Sequence, residues 1–76
     1  MNKVRRSKLQ AIMETLTTIS EELSELASNE ADAADALPEC FEERKMTMEE
    51  NTDYINDAVA EVDNAISSIE MIEGVT

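Results

Sequence analysis

The sequence contains no histidine or tryptophan, and it has one cysteine, one glycine and one proline in 76 residues. Without histidine or closely spaced cysteines, the usual zinc, haem and di-iron sites of helical proteins are excluded. A hydroxyl or thiol nucleophile would lack the base that activates it, and a single glycine cannot form a phosphate-binding loop. We therefore expect a non-catalytic protein that binds no metal ion and no cofactor.

Positive charge is also scarce, because six basic residues stand against eighteen acidic ones and the net charge is −12. Such a chain repels phosphates, so we expect no direct binding to nucleic acid and favour a partner protein with a basic surface. Two interpretations of the carboxylates stay open: a solvated surface, or a charge mimic of a nucleic-acid backbone. The candidate partner-binding acidic residues are Glu14, Glu21, Glu25, Asp32, Asp35, Glu49, Glu50, Asp53 and Asp57.

The single cysteine, Cys40, cannot form an internal disulfide, which is typical of an intracellular protein. No apolar run approaches the length that a membrane-spanning helix needs. These two absences predict a soluble, cytoplasmic protein without a membrane partner.

Hydrophobic residues are present in a strongly periodic pattern. In the first half of the chain, large aliphatic residues recur with spacings of 3 and 4, which predicts one face of a long helix. A second stripe with helical spacing lies in the other half. The two stripes together are the predicted core and dimer contact: Leu9, Ile12, Leu16, Ile19, Leu23, Leu26, Ile55, Val59, Val62, Ile66, Ile69 and Ile72.

The pattern divides the chain into two helices. We predict helix 1 over about 3–36, a connection over about 37–46 and helix 2 over about 47–73. Leu37-Pro38 ends helix 1, since the residue before proline is pushed out of the helical region. Thr47-Met48-Glu49-Glu50 fits a capping box that would begin helix 2. The predicted hinge residues are Leu37, Pro38 and Phe41.

Two long helices with a short connection fold back most simply as an antiparallel pair. We therefore predict an all-α, coiled-coil-like helical hairpin that forms a single domain over 1–76. A chain this short has little core to offset its conformational entropy, and a two-helix hairpin buries less surface than a globule. A second copy is expected to complete the core, which predicts a homodimeric four-helix bundle.

Four basic residues cluster at the start of the chain: Lys3, Arg5, Arg6 and Lys8. They lie at the end of helix 1 where positive charge is unfavourable. An antiparallel hairpin would bring them beside Glu70 and Glu73. Alternatively, they could bind an anionic nucleotide in a pocket between two subunits. The two aromatic residues, Phe41 and Tyr54, are expected to be buried against helix 1.

The chain resembles small acidic helical-hairpin proteins of low-GC Gram-positive bacteria, their phages and mobile elements. The resemblance involves Arg5-Arg6, the Leu9/Ile12/Leu16/Ile19 ladder, Glu22-Leu23, Glu30-Ala31, Asp35-Ala36-Leu37-Pro38-Glu39, Glu43-Arg44 and Met48-Glu49. It implies a helical hairpin and an origin in a mobile element, but it implies no active site. Cys40-Phe41 departs from the pattern, where small polar residues are expected.

These observations favour a phage- or mobile-element-encoded protein-interaction module. Its expected action is to bind, and to inhibit, a host defence or nucleic-acid-binding protein in the host cytoplasm. A structural or adaptor homodimer without inhibitory activity is one alternative. A protein that sequesters anionic nucleotides is another.

Overall fold

The computed structural model describes residues 1–75, and over that range it consists of helices and turns without a strand. Helix α1 spans Lys3–Asp35 and helix α2 spans Glu42–Glu70, and a short 3-10 turn at Glu39–Phe41 lies between them. The two helices pack against each other as an antiparallel hairpin with extents of 59 × 14 × 11 Å. The predicted all-α hairpin is therefore confirmed.

Helix α1 begins and ends close to its predicted boundaries. The Asn2 side chain caps its first turn by accepting a hydrogen bond from the Arg5 amide at 2.9 Å. The last helical residue is Asp35, and Pro38 follows in extended conformation with φ −60° and ψ 150°. The proline ring fixes this φ and keeps the chain from continuing the helix.

Helix α2 begins five residues earlier than predicted, at Glu42, and it ends at Glu70. The predicted capping box at Thr47 is wrong, because the Thr47 hydroxyl donates to the carbonyl oxygen of Glu43 inside the helix. A threonine hydroxyl inside a helix can bond the carbonyl oxygen four residues back instead of capping a helix end. Glu42 and Glu43 occupy the first turn, where negative charge suits the helix dipole. The connection is correspondingly short.

Two side-chain hydrogen bonds between the helices define their register. The Ser20 hydroxyl donates to the carboxylate of Asp63 at 2.7 Å, and the Asn51 amide donates to the carboxylate of Glu30 at 3.1 Å. Residue numbers therefore rise along α1 as they fall along α2. Glu30 interrupts the aliphatic stripe of α1, and Asn51 provides its polar partner across the interface.

The core between the helices uses only part of the predicted stripe. In α2, Ile55, Val59, Val62, Ile66 and Ile69 are all half-buried, as predicted. Ile72 follows the end of α2 and is 38% exposed. In α1, the core residues alternate with spacings of 4 and 3. They are Leu9, Met13, Leu16, Ser20, Leu23, Ala27, Glu30 and Ala34.

Three residues of the predicted stripe lie outside this core. Ile12, Ile19 and Leu26 are 48%, 38% and 55% exposed, whereas Ala27 and Ala34 are buried. Helix α1 has three adjacent apolar rows, and one partner helix can cover only two of them. Helix α2 covers the row of small residues, where two helix backbones can approach closely. Of the six predicted aliphatic residues of α1, Leu9, Leu16 and Leu23 therefore line the core of the hairpin, whereas the other three do not.

The hairpin is elongated and exposes much of its surface. Its radius of gyration is 17.3 Å, whereas a compact chain of this length would have about 11 Å. Its accessible surface is 5699 Å², against about 4,700 Å² for a compact protein of the same mass. Among residues 1–75, only Ala27, Ala34 and Val75 are buried apolar residues. The isolated hairpin is therefore short of buried apolar surface.

Candidate interaction surfaces

The hairpin has two broad faces, one on each side of the plane that contains the two helix axes. An antiparallel pair is related by an approximate two-fold axis perpendicular to that plane, so equivalent rows that flank the core lie on the same face. In α1 the row Ile12, Ile19, Leu26 and Ala33 flanks the core on one side. In α2 the equivalent row is Asn51, Ala58, Ala65 and, just beyond the helix, Ile72.

One face of the hairpin is therefore apolar along its middle. We call it the apolar strip, and it consists of Ile12, Ile19, Leu26, Ala33, Ala58 and Ala65, with Ile72 at its open end. In the register of the Ser20–Asp63 and Glu30–Asn51 bonds, Ile19 lies level with Ala65 and Leu26 with Ala58. Large side chains on α1 thus form a ridge, and small ones on α2 form a trough beside it.

The rim of the apolar strip carries few charges. The next row outward contains Lys8, Thr15, Glu22 and Asn29 on α1, and Thr47, Tyr54, Glu61 and Ser68 on α2. Glu22 and Glu61 are the two carboxylates in these rows. Tyr54 is 70% exposed and Phe41 is 48% exposed, so the predicted burial of both aromatic rings is wrong.

The opposite face is acidic. Its rows hold Glu14, Glu21, Asp35, Glu49, Asp53, Asp63 and Glu70, and we call this set the acidic face. Five of the nine predicted acidic residues belong to it, and the other four point outward along the edges of the hairpin: Glu25, Asp32, Glu50 and Asp57. All nine are exposed. Charge and apolar surface are therefore separated on opposite sides of the molecule.

The four basic residues at the start of α1 are exposed, and one of them binds the C-terminal segment. Arg6 donates from Nε to the carbonyl oxygen of Gly74 at 2.8 Å. Gln10 donates from Nε2 to the carbonyl oxygen of Val75 at 2.9 Å. The acceptor that the structure shows for Arg6 is thus a backbone oxygen rather than the predicted Glu70 or Glu73.

A glycine allows this closure of the C-terminal segment. Gly74 has φ +88°, a conformation that residues with a side chain rarely adopt. A Cβ atom at this position would lie 3.1 Å from the backbone nitrogen of Met1. The turn leaves the Val75 side chain fully buried. Gly74 lies in this turn, four residues after α2 ends.

Two open depressions on the surface lack a basic side chain, so neither suits an anion. The depression nearest the basic end has a volume of about 450 Å³. It is lined by Gln10, Met13, Glu14, Thr17, Ile66 and Glu70. It contains two carboxylates and no basic side chain, so it would repel an anionic nucleotide. A second depression, at Ser24, Glu25, Ser28 and Asn29, also lacks a basic residue.

At the hinge end, the two residues that depart from the family pattern, Cys40 and Phe41, are exposed. Leu37 is half-buried, whereas Phe41 and Cys40 are exposed. A third depression lies here and is lined by Cys40, Phe41, Glu42, Glu43 and Arg44. The predicted hinge residues Leu37, Pro38 and Phe41 do form the connection, together with the short turn that contains Cys40.

The polar contacts that position the two helices were not predicted from the sequence. They are the Ser20–Asp63 and Asn51–Glu30 bonds between the helices, and the Gln10–Val75 bond at the open end. Among these residues, Glu30 was the one whose position in the sequence indicated a polar contact, because it interrupts the apolar repeat. A polar residue at a core position commonly specifies register.

Over residues 1–75, no group of three or more cysteine or carboxylate side chains is arranged to hold a metal ion. Neither α1 nor α2 is long and apolar enough to cross a membrane. Comparisons with protein-family models, with curated proteins and with solved structures find no match to this chain.

Proposed function

We propose that this chain is a non-catalytic protein-interaction module that acts as a homodimer and binds a basic protein surface through its acidic face. The separation of charge supports the proposal. Seven carboxylates share one face, and the nine predicted carboxylates are all exposed. Exposed charges at fixed positions attract and orient an oppositely charged partner and contribute more to its association rate than to its affinity.

We further propose a phage or mobile-element origin, with inhibition of a host defence or nucleic-acid-binding protein as the effect. The resemblance to acidic hairpins of mobile elements supports the origin. The spacing of charge bears on the mode of binding: Glu14 and Glu21 lie seven residues apart on α1, which corresponds to about 10 Å along the helix. Phosphates in DNA are more closely spaced, so a mimic would combine carboxylates from both helices.

The experiment compares two double variants that remove the same charge from different faces. Glu49→Gln/Asp53→Asn alters the acidic face, and Glu22→Gln/Glu61→Gln alters the rim of the apolar strip. The probe is a DNA-binding protein with a pI above about 9, titrated at about 50 mM and 200 mM salt, with a duplex oligonucleotide as competitor. The first variant should lose roughly fivefold in affinity, and the second should bind like the wild type.

Equal binding by both variants would refute a role for the acidic face. An affinity that does not fall with salt would also refute it, because exposed charge pairs are screened. A structural or adaptor homodimer is the second candidate function, and the exposed apolar strip favours it. That candidate predicts a stable dimer that neither binds the basic probe nor releases the duplex from it.

A further inference from the structure

We propose that the apolar strip is the contact surface between two copies of this chain, packed with the ridge of each copy in the trough of the other. The inference rests on the homodimer part of the proposed function and assigns that contact to one face. Three observations argue for a second copy as the occupant.

The first observation is the shape of the strip. Ile12, Ile19 and Leu26 protrude from α1, while Ala58 and Ala65 leave space on α2 at the levels of Leu26 and Ile19. A ridge beside a trough fits a second copy of itself after a two-fold rotation. An unrelated partner would need a matching shape of its own.

The second observation is the area of the strip. From Ile12 to Ala33 the strip is about 30 Å long at the rise of an α-helix. Two helices side by side make it about 20 Å wide. Each copy would then bury about 600 Å², and the pair about 1,200 Å², which is the lower limit for stable interfaces. The footprint of the strip is thus large enough for a dimer.

The third observation is the distribution of charge. A dimer carries twice the −12 charge of each chain, so it forms only if the carboxylates stay away from the contact. The residues of the strip carry none, and its rim rows contain only Glu22 and Glu61. Glu30, beside the hinge end of the strip, is half-buried and accepts a hydrogen bond from Asn51. The acidic face points away from the contact in both copies and remains free for a basic partner.

The ridge and trough also select the orientation of the two copies. A two-fold axis parallel to the hairpin places α1 of one copy over α2 of the other and brings both connections to the same end. An axis across the hairpin would place ridge against ridge and the connections at opposite ends. Close packing of the large residues over alanines favours the first arrangement.

Cys40 reports this orientation directly, because it is exposed and is the only cysteine in the sequence. Nitroxide labels on Cys40 should lie within about 30 Å of each other if the connections share one end. They should lie about 50 Å apart if the connections are at opposite ends. Pulsed electron–electron double resonance measures the distance between the two labels, and we expect the short distance. The long distance would overturn the ridge-in-trough packing.

Sedimentation of substituted chains tests the strip itself. Leu26→Glu places a charge in the contact and should raise the dimer dissociation constant at least about a hundredfold. Ser28→Glu adds the same charge on the opposite side of α1 and should change it by less than about threefold. Circular dichroism checks that both variants keep their helices. If Leu26→Glu loses its helices, Ala65→Trp replaces it in the dimer measurement, because it fills the trough without altering the hairpin core.

A wild-type chain that is monomeric at micromolar concentration would overturn the proposal, as would a helical Leu26→Glu variant that stays dimeric. The acidic-face experiment fails separately from these. If the chain dimerises through the strip but does not bind the basic probe, the proposed partner is refuted and the proposed dimer contact still stands.

Discussion

The two faces of the hairpin are built from equivalent heptad rows, yet one face is largely apolar and the other is polar and acidic. On one face the rows that flank the core hold Ile12, Ile19 and Leu26 beside alanines. On the other they hold Gln10, Thr17 and Ser24 beside Glu49, Asp63 and Glu70. The flanking rows of the two faces are equally distant from the partner helix. Packing within the hairpin therefore does not require one face to be apolar and the other acidic.

The difference separates two requirements of a small acidic protein. Buried apolar surface stabilises the fold, and the isolated hairpin has little of it. Exposed charge keeps the chain soluble and attracts partners, but it opposes any contact between copies. With each property on its own face, the proposed contact between copies and the proposed binding of a basic partner would use opposite sides of the hairpin.

The largest expected effect comes from comparing the hairpin core with the apolar strip. Leu16→Ala should lower the free energy of unfolding by roughly 2 kcal/mol at every protein concentration, because Leu16 contacts α2 within the same chain. Leu26→Ala should cost under about 1 kcal/mol in dilute protein, where Leu26 is 55% exposed. Urea denaturation at low and high protein concentration measures both.

At high concentration the strip should behave as core, so the cost of Leu26→Ala should approach that of Leu16→Ala. A cost that stays the same over a hundredfold range of protein concentration would show that Leu26 faces solvent in every state.

The second effect is the opposite response of the two faces to salt. Raising the salt concentration from about 50 to 200 mM should strengthen the dimer, since it screens the repulsion between two acidic chains. The same change should weaken binding of a basic protein to the acidic face, each by about tenfold. Sedimentation and titration in matched buffers measure the two responses; responses of the same sign would contradict the assignment of one face to each contact.

Much of this architecture follows from the sequence alone. The helical spacing of the apolar residues and Leu37-Pro38 predicted two helices and the place where the first one ends. The boundary of α2 was harder to predict, because Thr47 can cap a helix or bond within one, and short-range pattern does not distinguish these. The preceding Glu42 and Glu43 form the first turn instead.

The choice of core rows could not be predicted from the spacing. Leu9, Leu16 and Leu23 have an apolar row on each side, so two heptad frames fit α1 equally well. The decision depends on how closely α2 can approach, and the alanines at 27 and 34 favour one frame through packing, which is a tertiary property. The closure at Gly74 and Val75 likewise depends on Arg6 and Gln10, which lie more than sixty residues away.

The third effect concerns the open end of the hairpin, where the C-terminal segment is held by Arg6 and Gln10. Gly74→Ala should lower the free energy of unfolding by about 1 kcal/mol, because φ +88° is unfavourable for alanine and the new Cβ would approach Met1. Hydrogen exchange should show faster opening near the start of α1 while the middle of the hairpin is unchanged. A Ser68→Ala substitution, at an exposed position of α2 in the rim row, is the control and should have little effect on the free energy of unfolding.

The smallest effect should come from the rim of the apolar strip. Glu22 and Glu61 lie at nearly the same level of the hairpin, so the proposed dimer brings Glu22 of each copy close to Glu61 of the other. Removing one charge with Glu22→Gln should therefore strengthen the dimer by a few tenths of a kcal/mol at low salt and by nothing at high salt. Glu25→Gln removes a charge from the outer edge of the same helix and should have a smaller effect. If the two variants strengthened the dimer equally, only the net charge of the chain would matter, and the rim would have no special place in the contact.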